Sequence, residues 1–337
     1  MAQALIPGDA APGGAAGAGR RGAVGRSLPL YVLRRCGYFA VVVWAVYTLS
    51  FLLLYALPSD PVALMLERRS SGAGGADPEQ AAALRERYGL DGSLPERYLA
   101  TFGRLLTGDL GTSFQSGDPV PEVLAAAAPN TLGLAAAALA IALPLSVLLA
   151  LVTSWRPDGA VHRVLVNVPA LIAGVPAFWL GLLLLQVFSF QLRWAPSAGG
   201  GPAGVWLAAV ALALPVSAAL TTVLVRSLDD VQREPFVELL LARGLPRGRV
   251  YLRHVARNGL LPFVTLLGLT VGGVLVGTVI TETVFARAGL GRLLASSVQT
   301  QDAPVVLAIA MSTAVVFAAV NLAVDLLYPV LDPRLKR

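Results

Sequence analysis

Residues 123–155 read VLAAAAPNTLGLAAAALAIALPLSVLLALVTSW, 33 positions without a charged side chain. A hydrocarbon core about 30 Å thick takes roughly 20 helical residues to cross, so this run spans a bilayer with residues left for interfacial turns. Working outward, five more charge-free runs reach that length: Cys36–Ser59, Val164–Leu192, Trp194–Val225, Asn258–Thr281 and Ala303–Val324. The third and fourth spans are separated only by Arg193 and the stretch Trp-Ala-Pro-Ser-Ala-Gly-Gly-Gly-Pro at 194–202, whose composition is that of a turn. The expected fold is an all-α polytopic membrane protein with six transmembrane helices.

Composition agrees. Of 337 residues 56% are hydrophobic and only 14% charged, with a mean hydropathy of +0.70; a soluble domain carries about 25% charged residues. Of the 26 basic residues, 25 are arginine and Lys336 is the single lysine. With the N-terminus in the cytoplasm, 17 basic residues fall on the inner side and 9 on the outer. The long first outer segment offsets its six arginines with ten acids. The excess of arginine inside puts both termini in the cytoplasm. It also explains the basic balance without nucleic acid, which would need the arginines gathered on one folded face.

Residues 1–27 are Ala/Gly-rich without periodicity and read as a disordered tail. The run Cys36–Ser59 covers 24 residues, against about 7–15 for the apolar part of a cleaved signal peptide, so it is expected to stay as the first membrane helix. Pro144, Pro169, Pro176 and Pro215 lie inside spans. Each frees a backbone carbonyl and tends to bend its helix.

The residue inventory excludes several chemistries. A P-loop needs a lysine that reaches the β/γ-phosphates, and the only lysine is next to last in the chain. His162 and His254 fall in predicted cytoplasmic loops without an H-E-x-x-H context, which excludes zinc-protease chemistry. The lone Cys36 excludes a Cys-cluster metal site and an intramolecular disulfide. No catalytic or metal-ligating residue is expected. Charges at membrane depth are nearly absent. Glu282 ends span five and Asp325 ends span six, and both are read as end residues reaching the interface. An ion-coupled carrier commonly buries such groups at the midplane, so the driving energy is expected to come from elsewhere.

The segment 226–257, between spans four and five, is the most informative. Asp229, Asp230 and Glu234 precede Pro235, which suits a first helical position. A helix follows over Pro235–Arg243 and stops at Gly244, with Pro246 as a breaker. About nine residues are too few for stability alone, so Phe236, Leu239, Leu240 and Leu241 should bury against something. Two surfaces are open to them: a groove on another protein, or the inner ends of the chain's own helices. Arg249, Arg253 and Arg257 recur every four residues as a basic face, read as an inner-leaflet anchor.

Glu238-Leu-Leu-Leu-Ala-Arg-Gly244, with Pro262 eighteen residues later, resembles the EAA-type loop of binding-protein-dependent ABC importer permeases, in particular the dipeptide/oligopeptide/nickel branch. Further stretches agree from about Leu28 to Arg334. They include Asp60-Pro-Val62, Tyr88-Gly-Leu-Asp91, Gly108-Asp-Leu-Gly-Thr-Ser113, Pro129-Asn-Thr-Leu132, Thr281-Glu-Thr-Val-Phe285, Gly289-Leu-Gly-Arg292 and Asp332-Pro-Arg334.

The resemblance implies a non-catalytic transport subunit of the bacterial inner membrane, forming half of a path for short peptides or a similar small solute. It implies a homologous second permease, two ATP-binding cassette subunits that hold ATP-Mg, and an extracytoplasmic solute-binding protein. It implies no cofactor on this chain, and the partners beyond these are membrane lipid and not nucleic acid. Glu238, Ala242, Arg243 and Gly244 carry over as ATPase-coupling residues, joined on the same helix by Phe236, Leu239 and Leu240. Leu239 and Leu240 depart from the small residues usual there, and Ser59 from the usual glycine before Asp60.

The expected organisation is a cytoplasmic tail at 1–27, a first transmembrane helix at 28–59, and an extracytoplasmic helical segment at 60–122 with helices over Pro78–Tyr88 and Pro95–Leu106. A transmembrane core follows at 123–328, containing the coupling loop 226–257, and a cytoplasmic tail at 329–337. No residue identifies a substrate site. The alternative is a self-sufficient channel or ion-coupled secondary transporter.

Overall fold

The computed structural model describes residues 27–55, 92–196, 199 and 202–331, with a few positions between 79 and 85. Residues 1–26 and 332–337 of the expected tails, most of the expected helix at Pro78–Tyr88 and the side chain of Asp325 lie outside the described residues, while the described positions 79, 80, 82, 83 and 85 are helical and the last helix runs on through 329–331.

The elements in chain order are α1 (Ser27–Tyr55), α2 (Leu94–Leu106), α3 (Val120–Ser154), α4 (Ala160–Leu165), α5 (Val168–Ala173) and α6 (Ala177–Leu184), the last continuing as a π turn at Leu185–Gln191. Then come α7 (Pro202–Gln232), α8 (Pro235–Ala242), α9 (Arg247–Val250), a π turn at Tyr251–Val255 and α10 (Ala256–Gly259). The chain closes with α11 (Leu261–Val284), α12 (Leu290–Thr300) and α13 (Ala303–Leu331). Every element among the described residues is helical, apart from one isolated bridge between Thr112 and Pro119.

Five helices are long and apolar enough to cross a membrane: Cys36–Leu54, Val120–Ser154, Gly204–Gln232, Leu266–Val284 and Ala303–Ala323. The remaining charge-free run is not one straight helix. Ala160–Ala173 and Ala177–Gln191 meet at 100°, and Gly174, Val175 and Pro176 lie at the break. Proline has no N–H to give the preceding turn and pushes the residue before it out of the helical region. Pro144 and Pro215, by contrast, sit inside single continuous helices.

α3 and α7 pack through small residues, with Ala135, Ala138, Ala142, Ala208, Ala209 and Ala213 all in one buried cluster. Alanine faces let two backbones approach closely, which in a membrane replaces the hydrophobic drive available in water. α1 docks through Tyr47 and Phe51 against Leu307 of α13 and Tyr98, Phe102 and Leu105 of α2. The Tyr47 hydroxyl donates to the Tyr98 carbonyl at 2.8 Å. Ser93 starts α2, donating its N–H to Glu96 Oε2 at 2.8 Å. That bond, with the Ser93 hydroxyl second, holds the Glu96 carboxyl below the usual carboxylate range.

The loop after α2 is tied to the last helix. Asp302, just before α13, is buried and accepts from the Ser113 hydroxyl and from the N–H of Phe114 at 3.0 Å. One carboxylate thereby fixes the loop between α2 and α3 to the start of α13.

Candidate functional site

α7 continues past Val225, the end of the charge-free run, through the polar turns at 226–232, so its end stands clear of that run. Pro235 then opens α8, where its missing N–H costs nothing in the first turn. Arg243 ends the helix and Gly244 takes φ +83°, the left-handed conformation in which a side chain is strained. The Gly244 N–H donates to the Leu241 carbonyl at 2.9 Å and that of Leu245 to the Leu240 carbonyl at 3.3 Å, closing the open end of the helix.

Of the two surfaces open to the leucines, the chain's own helices cover only one side of α8. Val237 is buried, and Phe236 and Leu240 pack partly buried against a cluster of Ala150, Leu224, Val225, Leu228, Val250, Tyr251 and Val255. Those residues belong to the ends of α3 and α7 that adjoin α8 and to the segment after α8. On the other side Glu238, Leu239, Leu241, Ala242, Arg243 and Gly244 are exposed, Leu239 by 52% and Leu241 by 41%. Of the residues expected to couple, Phe236 and Leu240 therefore face inward, while Glu238, Leu239, Ala242, Arg243 and Gly244 face out. Val237 as the anchor and Leu241 as an outward residue escaped the sequence reading, although helical spacing of Phe236, Val237 and Leu240 marks the inner stripe.

The mount behind α8 is rigidly bonded. Tyr251 donates its hydroxyl to the Leu151 carbonyl at 2.9 Å, and Gln232 Nε2 donates to the Ser154 carbonyl at 2.7 Å. The Trp155 ring meets Tyr251 edge-on at 5.1 Å. Burial, and then the Asp229 carboxylate, push the Tyr251 phenol far above the usual tyrosine range, so it stays a donor. Arg249, Arg253 and Arg257 are all exposed, on a segment where the π turn at Tyr251–Val255 interrupts the α-helix.

At the opposite end of α11, Glu282 is not an interfacial residue. It is fully buried, accepting from the Thr131 hydroxyl at 2.6 Å, the Gly291 N–H at 2.8 Å and the Arg292 N–H at 3.2 Å. Thr131 Oγ1 in turn accepts from the Leu290 N–H at 2.7 Å. The first three N–H groups of α12, which a helix cannot pair internally, are thus satisfied by α3 and α11. Gly289 permits this: a side chain there would collide with the Glu282 carboxylate.

Beside this latch lies a cavity of about 670 Å³, lined among others by Val46, Thr131, Leu269, Val276, Thr278 and Phe317, with no charged residue in its wall. Among the described residues no group of three or more His, Cys, Asp or Glu could hold a metal ion.

Residues 142–337 match the family described as binding-protein-dependent transport system inner membrane component, and residues 29–135 match the N-terminal part of such membrane components. The oligopeptide transport system permease protein AppB of Bacillus subtilis is 32% identical over 318 residues, covering 91% of this chain and 99% of that protein. The glutathione transport system permease protein GsiC of Pectobacterium atrosepticum is 34% identical over 311 residues, covering 91% and 98%. A solved structure of the MetNI methionine ABC transporter in an inward-facing conformation is similar over 64% of this chain and 98% of its own, at 15% identity and a TM-score of 0.49. The chain is a multi-pass membrane protein and belongs to the inner membrane permease family of binding-protein-dependent ABC transport systems.

Proposed function

We propose that this chain forms half of the translocation path of an importer for short peptides or similar small solutes, and takes its power stroke through α8. Six crossings, counting the bent pair as one, leave both termini in the cytoplasm, as the arginine distribution requires. α8 then stands on the cytoplasmic side, and its outer face of Glu238, Leu239, Leu241, Ala242 and Arg243 docks on one of two separate ATP-binding subunits. Those subunits hold ATP-Mg. A second, homologous permease completes the path, and an extracytoplasmic binding protein delivers the solute. Peptide-type cargo is supported by the named relatives, one an oligopeptide and one a glutathione permease. The uncharged cavity beside α11 is the part of the wall that this chain contributes.

One observation carries the reading: an eight-residue helix with Leu239 and Leu241 exposed on one side and Val237 buried on the other. A helix this short is held by packing, and its remaining apolar face fits a partner's groove. Reconstitution tests it. Uptake into liposomes should need the ATP-binding subunits, and uptake by the purified chain alone would establish the alternative of a self-sufficient channel or ion-coupled carrier.

A further inference from the structure

A cleft of about 400 Å³ opens between the C-terminal end of α2, the turn that follows it and the starts of α3 and α13. That volume falls among small-ligand clefts, which run from about 300 to 1,000 Å³. Its lining holds two charged residues of opposite sign, Arg104 and Asp109. Their placement follows from the way α2 ends. Gly108 takes φ +82°, so the Asp109 N–H turns back to donate to the Arg104 carbonyl at 2.9 Å. The Gly108 N–H donates to the Leu105 carbonyl at 3.1 Å beside it. The two charged residues therefore stand together on one rim, joined through the backbone.

Both charges remain open to a guest. Arg104 and Asp109 are exposed, and among the described residues no ion pair or hydrogen bond engages the Arg104 guanidinium. The Asp109 carboxylate accepts one bond, at Oδ1 from the Gly111 N–H at 2.9 Å, which leaves Oδ2. The rest of the cleft is apolar and braced. Pro119, Pro121 and Pro304 give it stiff walls without N–H groups, and the buried side chains of Phe114 and Leu307 lie beneath. The Val120 N–H donates to the Gly111 carbonyl at 3.0 Å, and Asp302 holds the Ser113 hydroxyl and the Phe114 N–H. A cleft fixed in this way loses little freedom when it is filled.

We propose that this cleft binds a short peptide as its zwitterion, the carboxylate at Arg104, the ammonium at Asp109 and a side chain over Phe114 and Leu307. A guanidinium fork matches a carboxylate, and a carboxylate oxygen accepts from an ammonium. The assignment rests on the importer reading given above, which sets α2 on the outer side of the membrane. It supplies the solute with a first station ahead of the membrane path.

The test is calorimetric titration of the full chain, in nanodiscs of zwitterionic lipid, with L-alanyl-L-leucine, its N-acetyl form and its C-terminal amide. The free dipeptide should bind best, and blocking either end should weaken binding about fivefold, the scale of charge pairs open to water. Arg104→Gln should weaken the free dipeptide by the same factor and make amidation indifferent. Asp109→Asn, which keeps an acceptor for Gly111, should make acetylation indifferent. Both changes lie at exposed positions, so the melting temperature should hold and show that the chain is folded. Equal affinity for the three ligands, no binding of the free dipeptide, or variants that bind as the native chain does would each overturn the proposal. So would a cleft that ignores the dipeptide while Arg104→Gln weakens docking of the extracytoplasmic binding protein. ATP-dependent uptake by the assembled complex separates the two readings: uptake without dipeptide binding to this chain sinks the cleft assignment and leaves the importer standing.

Discussion

The hydroxyl of Tyr251 donates to the carbonyl of Leu151 at 2.9 Å, bonding the segment after α8 to the C-terminal end of α3. Tyr251→Phe keeps the ring against Trp155 and removes only this bond. We expect a loss of about 1 kcal/mol, read as a lower unfolding temperature in detergent. With α8 less firmly mounted, solute-stimulated ATP hydrolysis by the assembled importer should fall more than basal hydrolysis. Because the folded phenol titrates above its ordinary value, this stability is present below about pH 10 and is lost as pH rises beyond it.

The two faces of α8 should respond differently to substitution. Leu239→Asp and Leu241→Ser alter exposed residues, so membrane insertion and melting temperature should hardly change while solute-stimulated ATPase activity is lost. Val237→Ala should do the reverse, costing about 1–2 kcal/mol for two buried methyl groups before it affects docking. Equal melting losses in all three would show that the division of faces is wrong.

Gly244→Ala places a side chain at φ +83°, which costs about 1–2 kcal/mol. The expected result is fraying of the last turn of α8, measured as faster amide exchange at Arg243 and Leu245. Leu239, a turn earlier, should be less affected.

At the other end of α11, Thr131→Val removes one donor from buried Glu282 and one acceptor from the Leu290 N–H. A loss of about 1–3 kcal/mol follows from leaving such groups unpaired. Glu282→Gln should cost more, because its amide offers one acceptor oxygen where the carboxylate offers two to α12 and Thr131. Unfolding monitored for both variants and the pair would give a non-additive double variant, since the groups share one network.

The sequence made the membrane spans legible because hydrocarbon thickness leaves a length signal that no local detail disturbs. It also yielded the start of α8 at Pro235 and its end at Gly244, where backbone chemistry is local. It left open the shape of the run Val164–Leu192, since length alone does not say whether Gly174, Val175 and Pro176 bend a helix or break it. Glu282 was misread for a different reason. Its burial depends on Thr131, 151 positions away, and on the start of α12, and no periodicity within α11 carries that information. The leucines of α8 read as one apolar group; their division into an inner and an outer face came only from what α3 and α7 present behind them.

The central claim is that the outer face of α8 touches a separate ATP-binding subunit. Cys36 is the chain's only cysteine, so Leu239→Cys in a Cys36→Ser background gives a single reporter. In the assembled importer, a short thiol-directed crosslinker should join it to the ATP-binding subunit, and ATP should change the yield. No crosslink from position 239, with an efficient one from a cysteine introduced at Val237, would contradict the account.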